Sequence, residues 1–187
     1  MSARAIAFVV ALASTLAGCS HARPTAGASP QHQRERRTTL GEGVLVEATR
    51  WDATLVESAA AEHDRGERAA LRARLRSRYL EGKTAFTVVL ELRDRPGGTQ
   101  GLEQPDAWWF ELREGDRRTK SARVELVAVD RFPAGTGRAH LRVALDVTFA
   151  GRHDDAVDLH VGTVRPKGRR AELGAMVAQR GATLHWD

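Results

Sequence analysis

Five residues with ligand or acid–base chemistry cluster near the end of the chain: His153, Asp154, Asp155, Asp158 and His160. Asp158 and His160 are two apart, so on a strand they share one face. His140 and His185 fall on outward registers of neighbouring apolar runs. Zinc needs three or four such groups converging on one point about 2 Å from each. None of these spacings matches a known zinc pattern, and no metal ligand is assigned. Ser58, Ser77 and Ser121 are the serines beyond residue 29, and none sits in a nucleophile elbow. No Gly-x-Ser-x-Gly, His-Glu-x-x-His or Walker-type loop occurs. No catalytic residue and no cofactor is assigned, and the expectation is a protein that is not an enzyme. The alternative is a periplasmic small-ligand binder or hydrolase-type enzyme using carboxylates and histidines on a sheet face.

A second kind of chemistry is recognition. Trp108, Trp109 and Phe110 are consecutive. Successive strand side chains point to opposite faces, so if Trp108 and Phe110 enter a core, Trp109 points out. It is then either covered by the helical segment near 53–78 or left as a contact surface, and tryptophan is enriched at binding hot spots. The connection leading to it, RDRPGGTQGLEQPD at 93–106, is long for a hairpin loop. Trp109, Pro96, Gly97, Gly98 and Leu102 are therefore the candidate partner contacts.

One cysteine, Cys19, is present among 187 residues. It rules out an internal disulfide and any multi-cysteine zinc site. Ahead of it, Arg4 precedes an apolar run from Ala5 to Ala17, 13 residues long. A bilayer takes about 20. A short basic start, a short apolar core and small residues before a cut site describe a secretory signal peptide. The run ends Leu16-Ala17-Gly18-Cys19, which resembles the lipobox of bacterial lipoproteins. The resemblance covers residues 1–19 only. It implies that Cys19 carries a diacylglyceryl group and becomes the first mature residue, with further acylation (palmitate) on its amine. It also implies a membrane partner through the lipid. Ser20, in place of an aspartate, is compatible with the outer membrane. Two or more acyl chains give stable anchoring where one does not.

Residues 1–18 are thus read as signal peptide, and 19–39 as lipidated cysteine and flexible tether. SHARPTAGASPQHQRERRTT contains no large aliphatic or aromatic residue and cannot order itself by burial. A chain of that length spans roughly 25 Å on average.

The charge follows this division. Lys and Arg number 29 against 24 acidic residues. Residues 1–39 hold five arginines and one glutamate, which leaves residues 40–187 almost neutral, with 24 basic and 23 acidic groups. A nucleic-acid binder concentrates positive charge on its folded domain, so no nucleic-acid partner is expected.

Residues 40–187 read as one domain. Val44 to Trp51 looks like a strand. Asp52 stands at a helix N-cap position, and Leu55, Ala59, Leu71 and Leu75 outline one apolar face of a helical segment over about 53–78, with Gly66 as a potential break. The arginines at 68, 72, 74, 76 and 78 read as a solvated helix face. Alternating runs follow at 86–92, 108–112, 124–129, 139–149 and 157–161, then at 171–177 and 182–186. The register becomes ambiguous at Val127 and Val129. Such runs with turns between them predict a mainly β fold. The expected form is an antiparallel immunoglobulin-like sandwich of seven or eight strands with one helical insertion after the first strand. The alternative is an α+β fold with a helix on one face of a single sheet. The role expected is non-enzymatic binding or scaffolding in the cell envelope, with an envelope protein as a possible partner.

Overall fold

The computed structural model describes residues 35–40, 44–92, 101–133, 139–153, 156–164 and 181–186. They form two antiparallel sheets packed face to face, with two helices on the outside of one. In chain order the elements are β1 (Glu35–Thr39), β2 (Val44–Arg50), α1 (Ala53–Ala61), α2 (Arg65–Tyr79), β3 (Lys83–Leu92), β4 (Trp108–Glu114), β5 (Arg117–Lys120), β6 (Arg123–Pro133), β7 (Ala139–Ala150), β8 (Val157–Thr163) and β9 (Ala182–Trp186). One sheet runs β1-β2-β3-β7-β6 and the other β5-β4-β8-β9. The fold is mainly β and sandwich-like; the single-sheet alternative is not what forms.

The core follows from the alternation. In β7, Leu141, Val143, Leu145, Val147 and Phe149 are fully buried. They meet Trp108, Phe110 and Leu112 of β4, Val157, Leu159 and Val161 of β8, and Leu184 and Trp186 of β9 in one cluster. Phe86 of β3 crosses the gap to Trp186, with ring centroids 5.0 Å apart. Burying each such side chain stabilises the fold by about 1.5–3 kcal/mol.

The helical segment divides in two, but the division falls ahead of Gly66. The segment is two helices, broken at Glu62–Asp64, and Gly66 lies inside the first turn of α2. Asp52 caps α1, its Oδ1 accepting from Leu55 N at 2.8 Å. Arg68 closes the break by donating to the Ala61 carbonyl at 2.9 Å, and Arg72 pairs with Glu57 at 2.7 Å. The two helices pack on the outer face of the five-stranded sheet. There Leu55, Val56, Ala59, Leu75 and Tyr79 gather with Trp51 and Ala85. This explains why β3 is buried on both faces over most of its length.

A buried polar network fixes that docking. Asp146 of β7, 2% exposed, accepts from Arg78 Nη2 at 2.6 Å, Tyr79 Oη at 2.8 Å and Thr87 Oγ1 at 2.8 Å. Thr87 Oγ1 in turn accepts from Trp51 Nε1 at 2.8 Å. Trp51 and Tyr79 stack with centroids 4.1 Å apart and planes 2° from parallel. A buried carboxylate is tolerable because several donors satisfy it together.

Two further departures concern strands. The expected tether over 19–39 ends early: Glu35–Thr39 pairs with β2, from Glu35↔Thr49 to Thr39↔Leu45. An edge strand needs no apolar outer face, and Arg37 earns its place by bridging Glu35 at 2.7 Å and Glu47 at 3.1 Å. The helices consequently follow the second strand, not the first. In β6 the pairing slips between Leu126 and Ala128. This bulge is the physical source of the ambiguous register at Val127 and Val129. The strand expected over 171–177 lies outside the described residues.

Candidate functional site

The outer face of the four-stranded sheet is built by register alone. β4 pairs with β8 as Trp109↔Gly162, Glu111↔His160 and Arg113↔Asp158. β8 pairs with β9 as His160↔Thr183 and Asp158↔His185. β5 adds Lys120 beside Glu111 and Arg118 beside Arg113. Three rows result. The first is Trp109 and Gly162. The second runs Lys120, Glu111, His160, Thr183, and the third Arg118, Arg113, Asp158, His185. Rows lie about 7 Å apart along the strands and columns about 4.8 Å apart across them.

Trp109 is the exposed tryptophan among four. It is 38% exposed, against 7% or less for Trp51, Trp108 and Trp186. Both helices sit on the opposite sheet, so they do not cover it. Its indole lies across the neighbouring strand instead. A Cβ added at Gly162 would fall 2.5 Å from Cε2 and 2.7 Å from Cζ2 of Trp109. A Cβ at Gly181 would meet the same ring at 3.9 Å. The ring therefore occupies the space a side chain at 162 would fill and reaches to van der Waals distance of position 181, a seating known to compensate glycine in strands.

The polar groups around the indole have defined states. Arg113 Nε donates to Glu111 Oε1 at 2.6 Å. That bond holds the Glu111 carboxyl below the usual carboxylate range. His160 Nδ1 lies 3.0 Å from Thr183 Oγ1. Burial first, and then the Arg113 guanidinium, hold His160 below the ordinary imidazole value. His185 Nδ1 lies 2.5 Å from Asp158 Oδ1. Both carboxylates on the face are thus engaged. Arg118 and Lys120 are exposed, and no ion pair joins either to another described residue.

The other sequence candidates separate. Asp158 and His160 share a face, as the spacing predicts, and His185 joins them. His140 does not: it lies on the five-stranded sheet with Nε2 2.9 Å from Glu91 Oε1. His153 is buried at the end of the sandwich, Nδ1 2.8 Å from Glu114 Oε2. Its carbonyl accepts from Arg50 and its backbone N–H donates to Thr84 Oγ1 at 2.9 Å. Its Nε2 is buried without a hydrogen-bond partner among the described residues, and its other contacts tie three chain segments together. Among the described residues no group of three or more His, Cys, Asp or Glu could hold a metal ion. Leu102 is half-buried against the core, and its carbonyl accepts from Trp108 Nε1 at 2.9 Å. It thus anchors the loop's end. Cys19, Leu16, Ala17, Gly18, Pro96, Gly97, Gly98, Asp154 and Asp155 lie outside the described residues.

Sequence reasoning missed Gly162, the seat of the indole. Its signal was a lone glycine inside the apolar alternation VDLHVGT, which marks a close approach in a strand. It also missed the carboxyl pair on the other sheet. Burial first, and then the Glu35 charge, push Glu47 up to about 7, with Arg37 offsetting part of the rise.

Comparison with protein-family models, with curated proteins and with solved structures found no match.

Proposed function

We propose that the chain is an exported bacterial lipoprotein, anchored through lipid on Cys19, whose domain makes a non-enzymatic contact in the cell envelope. The outer membrane is the membrane we favour, and Trp109 marks the contact face. The anchor rests on the Leu16-Ala17-Gly18-Cys19 ending of a short apolar run. The contact rests on one observation: a large, rigid aromatic stays 38% exposed on a sheet face, backed by a glycine. An indole pinned in this way loses little conformational entropy on binding. Anchoring confines the domain to a thin layer, so weak contacts suffice through effective concentration.

Two measurements on one set of strains test this. Radiolabelled palmitate should mark the natural protein and fail to mark Cys19→Ala; labelling of that variant would overturn the anchor. A photo-crosslinking side chain at Thr183, beside the indole, should form an envelope adduct in intact cells that Trp109→Ala loses. An adduct unchanged by Trp109→Ala would overturn the contact face.

A further inference from the structure

We propose that this face binds an acidic polysaccharide: one pyranose ring stacks on the open side of Trp109, and its carboxylates are held by Lys120 and Arg118. The proposal rests on the reading of the Trp109 face as the contact surface and names the ligand class.

Three observations carry it. The first is shape. The indole is laid over Gly162 and reaches toward Gly181, so no side chain from either position rises beside it. The result is a flat aromatic shelf. A pyranose presents axial C–H groups on one side of the ring, and these carry the slight positive charge that a π face attracts. Its hydroxyls lie around the ring's edge, where polar neighbours can meet them. The second observation is those neighbours. Glu111, His160 and Thr183 form the adjacent row, about 7 Å along the strands. Arg113 holds the Glu111 carboxylate in place, which supplies an acceptor of fixed position, and the exposed Thr183 adds a hydroxyl that is braced by His160 Nδ1. The third is charge. Glu111 and Asp158 are engaged within the face, whereas Arg118 and Lys120 project from edge strand β5 on the same side. The unbalanced charge is positive, so a carboxylated sugar fits better than a neutral one, and a cation over the indole is disfavoured. Lys120 stands one row and two columns from Gly162, within the reach of a disaccharide.

A single-stranded nucleic acid would share the charge preference. Such grooves stack successive bases on several aromatics, and this face offers a single indole. A polymer with a charged ring at every repeat uses one shelf repeatedly and gains avidity from many anchored copies.

The test uses the full-length lipidated protein in detergent. Because Trp51, Trp108 and Trp186 are buried, acrylamide quenching of the intrinsic fluorescence reports Trp109. The probes are a galacturonic acid decasaccharide, a maltodextrin of equal length and an oligothymidylate of equal charge. The uronate should protect Trp109 from quenching. The protection should weaken with salt and should exceed that given by maltodextrin or thymidylate. Two variants should each weaken uronate binding roughly tenfold, about 1.4 kcal/mol. One is Trp109→Ala, followed by calorimetry. The other is the pair Arg118→Glu and Lys120→Glu, which leaves the shelf intact. No protection by the uronate, equal protection by maltodextrin, or tighter binding of thymidylate would each overturn the proposal. If the uronate fails while Trp109→Ala still abolishes the Thr183 crosslink, the ligand class falls and the contact face stands. If Trp109→Ala changes neither, both fall.

Discussion

At the scale of single residues, Trp109 and Gly162 act as one unit. The alternation around Trp108 and Phe110 told which way Trp109 points. What lies beneath its ring depends on the pairing of β4 with β8, which is a tertiary fact and absent from local sequence. Gly162→Ala should force the indole off its seat, because the added Cβ would meet Cε2 at 2.5 Å. The expected result is stronger acrylamide quenching, with a stability loss of about 1–3 kcal/mol by chemical denaturation. Unchanged quenching would mean that the ring does not rest there. Glu47 gives a pH test. Its pKa is raised from 4.5 to about 7 in the fold, so the folded chain binds the proton more tightly than the unfolded chain. Its contribution to stability is complete below about 4.5 and is lost as the pH rises through 7. Glu47→Gln should therefore gain about 1–2 kcal/mol at pH 8, after allowing for its partial exposure, and little at pH 4. His160 has the opposite sign. Its folded pKa is lowered, so its contribution is present above the ordinary imidazole value and falls away on acidification below it.

At the scale of elements, the helices are the clearest case of what sequence can and cannot say. Leu55, Ala59, Leu71 and Leu75 marked the apolar face, and Asp52 marked the start. Which sheet they cover depends on Thr87, Asp146 and Tyr79, whose separation in sequence hides their contact. Asp146→Ala should cost about 3–5 kcal/mol, because it strands three buried or half-buried donors at once. Tyr79→Phe should cost about 1–2 kcal/mol, since one donor is removed and the Trp51 stack is kept. Urea denaturation followed at Trp51 checks both; equal losses in the two variants would argue against a shared carboxylate. β1 reads as tether in the sequence because it is polar throughout. An edge strand held by Arg37 between Glu35 and Glu47 gives no hydrophobic signal. β7 was legible in full, since one face packs into the core and the other remains polar.

At the scale of the molecule, the two faces of the sandwich have different fates. Helices cover part of the five-stranded sheet, while the outer face of the four-stranded sheet keeps an exposed indole and two exposed cations. In the proposed account a lipid on Cys19 brings that second face to its partner in the envelope. Oxidative footprinting by hydroxyl radicals, read by mass spectrometry, compares Trp109 in intact cells with Trp109 in the purified full-length protein. Leu126, 46% exposed on the other sheet, serves as the internal reference. Trp109 should react readily in the purified protein and be protected in cells, with Leu126 equally reactive in both. Equal reactivity of Trp109 in the two settings would contradict the claim that this face is engaged.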